Sequence, residues 1–387
     1  MKIEVEFFSQ VSAIRERLWA ECFRPPLEGL FWYSTLEHSR LDDQFTFRYG
    51  LVRVESRPVG IVPAFVHDVP IALVAPRPIA WALKVLARLH RPLGYQRTFF
   101  IGSPCSDEGT VGLLAGFQLG EVMEGIAAAA QAEAARLQAR LVVFKDFPDA
   151  ALAPAGFFPV VSYPGTVVAL PAPDKAAYFR GLTHNQRHNF QKKLRRSKAE
   201  LPLTTSIVDR PSDAQIEEIL ALFLQTYEKG TTKFERLGRA FFQVIRGREP
   251  VYFILQHDAE GALVSFMLVF FLGERVINKF IGIDYRRAGP TYLYFRLFEA
   301  ALDFAYASGA KELQSGQTGY RAKLDLGHRL LPLTNFVRHQ NPVLHALFRA
   351  IGTRVTWKSL DKDLANYLRA HPEADLYEAL TSVADAE

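Results

Sequence analysis

The sequence predicts an α+β protein of two tandem domains, each a mostly antiparallel twisted sheet with helices on both faces. Three observations lead there. Extended and helical patterns follow one another in an order that occurs twice along the chain. Several extended pieces are joined by turns so short that only antiparallel neighbours are possible. At 387 residues the chain also exceeds the roughly 250–300 at which a single core stops growing.

In the first half, "FRYGLVRVE" and "PVGIVPAFVH" flank Ser56-Arg57, which reads as a hairpin turn at the Pro58 break. After a proline-punctuated segment come the extended "RTFFIGSP", the polar loop "CSDEG", an alanine-rich helix in "LGEVMEGIAAAAQAEAARLQA" and the buried-strand pattern of "RLVVFKDF". "GFFPVVSYPGTVVALP" supplies two short closing strands. At Asp174 the order restarts. "AYFRGLTHNQRHNFQKKLRRSKAEL" is helical, with Thr183 or Asn185 as a cap. "LTTSIVD" is a strand, "DAQIEEILALFLQTYEKG" an amphipathic helix ended by Gly230, and "RLGRAFFQVIRG" a second helix. "VYFILQHD", "ALVSFMLVFFL" and "RVINKFIGIDY" form a meander, followed by a long helix, "KELQSG" and "GYRAKLDLG". The expected division is 1–171, 172–345, and a C-terminal helical extension over 346–387.

Composition narrows the function classes. With 49% hydrophobic and 22% charged residues, the chain has ordinary globular composition and no room for extensive disorder. A net charge of +5 suits a polyphosphate ligand or nucleic acid, but equally a protein with no anionic partner. Cys22 and Cys105 are the only cysteines, which argues against a disulfide framework or a cysteine-rich zinc site and for a reducing compartment. The N-terminus carries acids and an early arginine where a signal peptide needs an apolar core. The longest apolar run, Ala262 to Leu272, is shorter than the roughly 20 residues that cross a bilayer. The expectation is a cytoplasmic protein without a transmembrane segment.

The stretch "GIDYRRAGP" places Arg286, Arg287 and Gly289 in a turn between a strand and a long helix. Glycine, positive charge and a helix N-terminus make an anion site. The bland reading is a solvated turn. This strand, Arg-x-x-Gly turn and helix resemble the second half of the GNAT acyltransferase core, whose Gln/Arg-x-x-Gly-x-Gly/Ala turn cradles the pyrophosphate of coenzyme A. Arg286 and Gly289 match the first and fourth positions. Thr291 departs from the last and can instead cap the helix, while Pro290 lacks a donor N–H. Two such halves in one chain resemble the FemAB-type, peptidoglycan-bridge-enzyme-like acyltransferases. "THNQRHNFQKKLRRSK" resembles their Arg-x-x-x-Arg/Lys signature, and "QSGQTGYRAKLDLG", with Tyr320, Lys323 and Gly327, their closing Tyr-x-x-Lys-x-x-x-Gly element.

The resemblance implies two GNAT-like domains and an N-acyltransferase that moves an acyl group from acyl-CoA to a primary amine of a small metabolite, peptide or cell-envelope precursor. It implies coenzyme A as co-substrate and neither metal nor redox cofactor. Arg286, Arg287, Gly289, Thr291 and Lys323 are then the donor-binding candidates. Tyr320 is the candidate acid, and Glu235 and Asp284 the candidate bases. Each has a plainer reading: Tyr320 as a core tyrosine, Glu235 as the start of a helix, Asp284 as a support for the turn. The basic stretch Arg187 to Lys198 is a solvated helix face, or a contact for an anionic substrate, for the 3′-phosphate of coenzyme A or for tRNA. Rival functions are an aminoacyl-tRNA-dependent peptide-bond former of the FemAB type and a non-catalytic binding protein on the same fold; no feature calls for DNA. His184 and His188 have metal-ligand spacing but no evident third ligand. The first half lacks the arginine-glycine turn and reads as degenerate. Its Ser103, Cys105, Asp107, Lys145 and Asp146 would wall an acceptor pocket between domains, and Cys105 has no histidine to make it a nucleophile.

Overall fold

The structure, a computed structural model, describes residues 2–70, 94–230, 234–287 and 291–376. The proline-punctuated segment 71–93 lies outside them. Fifteen strands among the described residues form two sheets. The first takes β1 (Ile3–Phe8), β2 (Thr46–Val54), β3 (Arg57–Pro70), β4 (Tyr95–Ile101), β6 (Leu141–Phe147), β15 (Thr334–His339) and β7 (Phe158–Val161) in that order, with the short β5 (Gly112–Leu113) beside β3. The second takes β9 (Thr204–Val208), β10 (Val251–His257), β11 (Leu263–Leu272), β12 (Arg275–Ile283), β13 (Glu312–Ser315), β8 (Gly165–Ala169) and β14 (Arg329–Leu331).

Laid side by side, the two orders agree position by position. The first four strands pair antiparallel, the fourth and fifth run parallel, and the last two pairings are antiparallel again. Helices α1 (Glu16–Cys22) and α2 (Leu30–His38) join the first two strands of one sheet. α6 (Asp213–Lys229) and α7 (Arg239–Ile245) do so in the other. The parallel pairs are bridged by α3 (Leu119–Arg136) and α8 (Leu293–Ala307), since a parallel connection needs a crossover. The predicted repeat is thus present in topology. The sixth place in each sheet, however, is filled from the opposite half of the chain: β15 enters the first sheet and β8 the second. The two sheets therefore do not part at residue 171.

Local chemistry explains most element boundaries. Glu55 and Ser56 both adopt left-handed φ (47° and 67°), as a two-residue hairpin turn requires, so the turn falls one residue before the expected Ser56-Arg57. The basic segment after Asp174 is two helices, α4 (Lys175–Gly181) and α5 (His184–Glu200), because Thr183 leaves the helical region to cap α5 in a reciprocal pair with Gln186. Ser212 and Gln215 cap α6 in the same way.

One apolar core joins the halves. Trp19, Trp32, Tyr49 and Phe65 of the first half share it with Phe223, Phe241, Phe266 and Phe270 of the second. Trp32 meets the edges of Phe270 and Phe241 with ring centroids 5.5 and 6.0 Å away. The C-terminal α10 (Pro342–Gly352), α11 (Trp357–Leu360) and α12 (Lys362–Ala370) follow β15; Trp357, Leu364 and Leu368 pack around α9 (Tyr320–Asp325). Among the described residues no helix is long and apolar enough to cross a membrane.

A fragment of residues 1–171 lacks β15, which separates β6 from β7. It should show no cooperative urea transition and no native near-UV circular dichroism, while the full chain shows both. A cooperative transition in the fragment would make the exchanged strand dispensable.

Candidate active site between the two sheets

Strands β12 and β13 pair only over Arg275–Asn278 and Glu312–Ser315. Beyond that, β12 runs on to Ile283, while the chain after Ser315 turns off through Thr318 and Gly319, both in left-handed conformation (φ 64° and 63°). Lys279 is the first β12 residue past the parting. Its side chain is 1% exposed, with Nζ 2.5 Å from Glu28 Oε1 and 3.6 Å from Asp107 Oδ2. The ammonium lies 4.8 Å from the ring centre of Trp32, a cation–π distance. Burial works against this charge, but Asp107 and Glu28 outweigh it and raise the pKa. The indole N–H of Trp32 donates to Ser103 Oγ and Ser106 Oγ, each at 3.2 Å, and the Ser106 hydroxyl donates to Glu28. Glu28 and Asp107 belong to the first half and Lys279 to the second, so this ion cluster lies between the sheets.

The loop after β4 adds the rest. Glu108 accepts from Gln314 Nε2 at 3.1 Å and lies 3.6 Å from Arg275 Nη1; burial raises its pKa. Lys145 Nζ donates to Ser106 O at 3.3 Å and pairs with Asp146, which also accepts from the Ser162 hydroxyl. A Cβ on Gly316 would stand 2.7 Å from Asp107 Oδ1 and would force the carboxylate to shift, so the glycine lets this turn approach it as it stands. Glu235, partly buried ahead of α7, completes the group. Burial pushes its carboxyl up to about 7, with Asp107 adding to the rise and Lys145, Lys279 and a backbone hydrogen bond opposing it. Carboxylates outnumber free cations here, because Lys145 and Arg275 are shared with Asp146 and Glu312. Such a site suits a cationic or amine-bearing guest and supplies a proton acceptor poised near neutrality.

No family model matches the sequence, and no curated protein does. Solved structures do. The chain is similar to FemX, with 11% identity over 89% of this chain and 100% of that one at a TM-score of 0.57. It is similar to the tandem GNAT protein from the clavulanic acid biosynthesis pathway, with 12% identity, 88% and 99% coverage and a TM-score of 0.51. L-PGS from Bacillus licheniformis matches at 11% identity, 83% and 93% coverage and a TM-score of 0.51. The chain has a tandem GNAT, FemAB-like fold. At these identities the agreement is one of architecture.

In the second GNAT-like half, the residues singled out from sequence are distributed unevenly. Glu235 lies in the ion cluster, and Lys323 adjoins it. Lys323 is buried, donates to Gly316 O at 2.8 Å and Gln317 O at 3.2 Å, and has its pKa lowered to about 7 by burial, against a raising pull from Asp107. Tyr320 is fully buried among Val161, Leu324, Leu330 and Trp357, and its hydroxyl donates to Pro164 O at 2.9 Å. Burial raises its pKa far up. These are the surroundings of a packing residue. Asp284 is buried and holds Arg286 Nε at 2.8 Å and Nη2 at 3.0 Å; the Arg286 hydrogen bond leads in lowering its pKa. A carboxylate so held supports the turn and is a weak base. Arg287 pairs with Asp258 at 2.8 Å. Gly289 lies outside the described residues. Thr291 does not cap α8: its hydroxyl donates back to Arg287 O at 2.7 Å, and the residue preceding the helix is Tyr292, in left-handed conformation (φ 45°).

The basic helix α5 lies beside that turn, where the Ser197 hydroxyl donates to Thr291 O. Lys193, Arg196 and Lys198 pair with Asp325, Glu200 and Glu299, whereas Lys192 and Arg195 point to solvent. The rings of His184 and His188 stack at 6.2 Å, and among the described residues no group of three or more His, Cys, Asp or Glu is arranged to hold a metal ion. Sequence reasoning reached Ser103, Cys105, Asp107, Lys145 and Asp146 as a wall, but missed Glu28, Glu108, Arg275, Lys279 and Gln314. Lys279 did carry a signal, being a lone charge inside "VINKFIGI".

Replacing Lys279 by Met leaves Glu28 and Asp107 buried without their cation. Urea unfolding should show a loss of about 3–5 kcal/mol, the usual range for breaking one side of a buried ion pair. An unchanged midpoint would mean that the cluster contributes little to joining the sheets.

Proposed function

We propose that this protein is an N-acyltransferase that carries an acyl group from coenzyme A to a primary amine of a small metabolite, peptide or cell-envelope precursor, with Glu235 as its base. The observation that carries the reading is the Glu235 carboxyl, pushed up to about 7 within the ion cluster where β12 and β13 part. In a GNAT-like fold, the gap between the parted strands is where the thioester enters. The amine attacks the thioester carbonyl, Glu235 takes the ammonium proton, and the tetrahedral intermediate expels the thiolate. No covalent enzyme intermediate is needed, and alignment of the two substrates supplies much of the acceleration. Asp107 and Glu108 favour a positively charged acceptor. The donor phosphates are bound by Arg286 and Arg287 together with Gly289 and Thr291, while Lys323 shapes the Gly316–Gln317 loop. Asp284 orients the turn, and the Tyr320 hydroxyl is committed to Pro164 O.

A base works only when deprotonated, so kcat should rise with pH up to about 7 and level off above. Glu235→Gln should lower kcat roughly 10²-fold and abolish that limb. The same residue makes a stability prediction independent of substrate. Because its folded pKa is raised, its contribution to stability is full below the ordinary carboxylate range and is lost as pH rises through about 7. Glu235→Gln should therefore raise the thermal midpoint at pH well above about 7 and leave it nearly unchanged below the ordinary carboxylate range. A variant with native kcat and an unchanged pH profile refutes the role.

Exposed Lys192 and Arg195 beside the donor turn favour a second reading, an aminoacyl-tRNA donor in place of coenzyme A. Thermal-shift titrations separate the two. Acyl-CoA should raise the midpoint, with affinity falling about tenfold or more, near 1.4 kcal/mol, in Arg286→Glu/Arg287→Glu. Protection by tRNA alone would select the second donor.

A further inference from the structure

Helix α10 lies over the β15–β7 edge of the first sheet and is apolar on both sides. Its inner side is occupied: His345 meets Phe158 edge-on at 5.1 Å, Phe348 meets His339 at 5.6 Å, and a Cβ on Gly352 would reach Val160 at 2.7 Å. The outer side carries Val343, Ala346, Leu347 and Ala350 at helical spacing. Val343 is 74% exposed, Leu347 51% and Leu344 37%. A helix that is apolar all round is normally a buried one, so this face implies a covering layer.

The charge around the helix indicates which. Between Asp325 and Asp361 the chain contains no carboxylate, while Arg338, Arg349 and Arg354 fall on or beside α10. Arg349 and Arg354 are exposed, as is Arg140, whose carbonyl accepts from Gln340 N. After burial, it is Arg338 and Arg349 that lower the pKa of His345, and Arg140 and His345 that lower that of His339. A second copy docked through the same face would bring these arginines against their own symmetry mates, which is repulsive. Apolar side chains framed by cations fit an anionic bilayer surface.

We propose that α10 is a membrane-surface anchor. Val343, Leu344 and Leu347 enter the acyl boundary of an anionic leaflet, and Arg140, Arg349 and Arg354 lie over its phosphates. The helix lies in the plane of the surface and does not span it.

Co-sedimentation of the full chain with vesicles tests this. Vesicles of equal parts phosphatidylglycerol and phosphatidylcholine should bind it about tenfold or more tightly than phosphatidylcholine alone, and added salt should weaken the binding. Val343→Asp/Leu347→Asp should lose binding by about tenfold or more with an unchanged thermal midpoint, and Arg349→Glu/Arg354→Glu should abolish the preference for phosphatidylglycerol. The proposal fails if the wild-type chain ignores anionic vesicles or if the double aspartate variant binds as well as it does. A fall in thermal midpoint on Val343→Asp/Leu347→Asp overturns it in favour of cover from within the chain. A dimer in sedimentation velocity that the same variant dissolves overturns it in favour of a second copy.

Discussion

An interior strand needs hydrogen-bond partners along both edges, and in this chain the sixth strand of each sheet comes from the other half. Without β15, β6 presents a bare edge; without β8, β13 does. The exchanged strands also support the loops that leave each parallel pair. Asn335 of β15 accepts the Asp146 N–H at 2.8 Å at the end of β6, and Thr166 of β8 donates to Gly316 O at 3.0 Å after β13. The same device thus acts at the same place in both halves. The end of β6 itself carries Lys145 and Asp146, while the loop after β13, with Gly316, lies against Asp107.

Once the sheets are bound this way, charges that would be solvated on separate domains are enclosed between them. Lys279 stays charged because Glu28 and Asp107 compensate its burial. Glu235 lacks such close compensation and is pushed toward the neutral form. One enclosed cluster therefore contains a locked cation and a carboxyl whose pKa is raised to about 7. The arginines of the turn after β12 are in the opposite situation. Their carboxylate partners are Asp284, close in sequence, and Asp258, just after β10 on the far side of β11, so the turn is braced by ion pairs.

Much of the fold was readable in advance. The meander of β10, β11 and β12 followed from turn length, the caps at Thr183 and Gly230 from residue type, and the duplicated order from the succession of patterns. The site was readable only in part. Asp107, Lys145 and Asp146 stood out as polar residues at strand ends, and Glu235 as an acid ahead of a helix. Glu28, in "RPPLEGLF", looks like any surface acid, because nothing nearby in the chain hints at its partner. Tyr320 looked chemically active because its motif follows a glycine-rich turn. What surrounds it, Trp357 and Leu364 of the C-terminal helices, is set by packing that no local pattern reports.

The sequence by itself determined what depends on near neighbours: the strand and helix periods, the capped helix ends, the short turns and the repeated order of elements. Those signals arise from backbone sterics and from hydrogen bonds over three or four residues. The tertiary structure alone decided which strand fills the sixth place in each sheet and which charges meet across the gap. Glu28 and Lys279 are 251 residues apart, and their pairing has no periodic or compositional trace. It exists because two sheets with interchanged strands close over a common aromatic core and leave the buried lysine no solvent with which to share its charge.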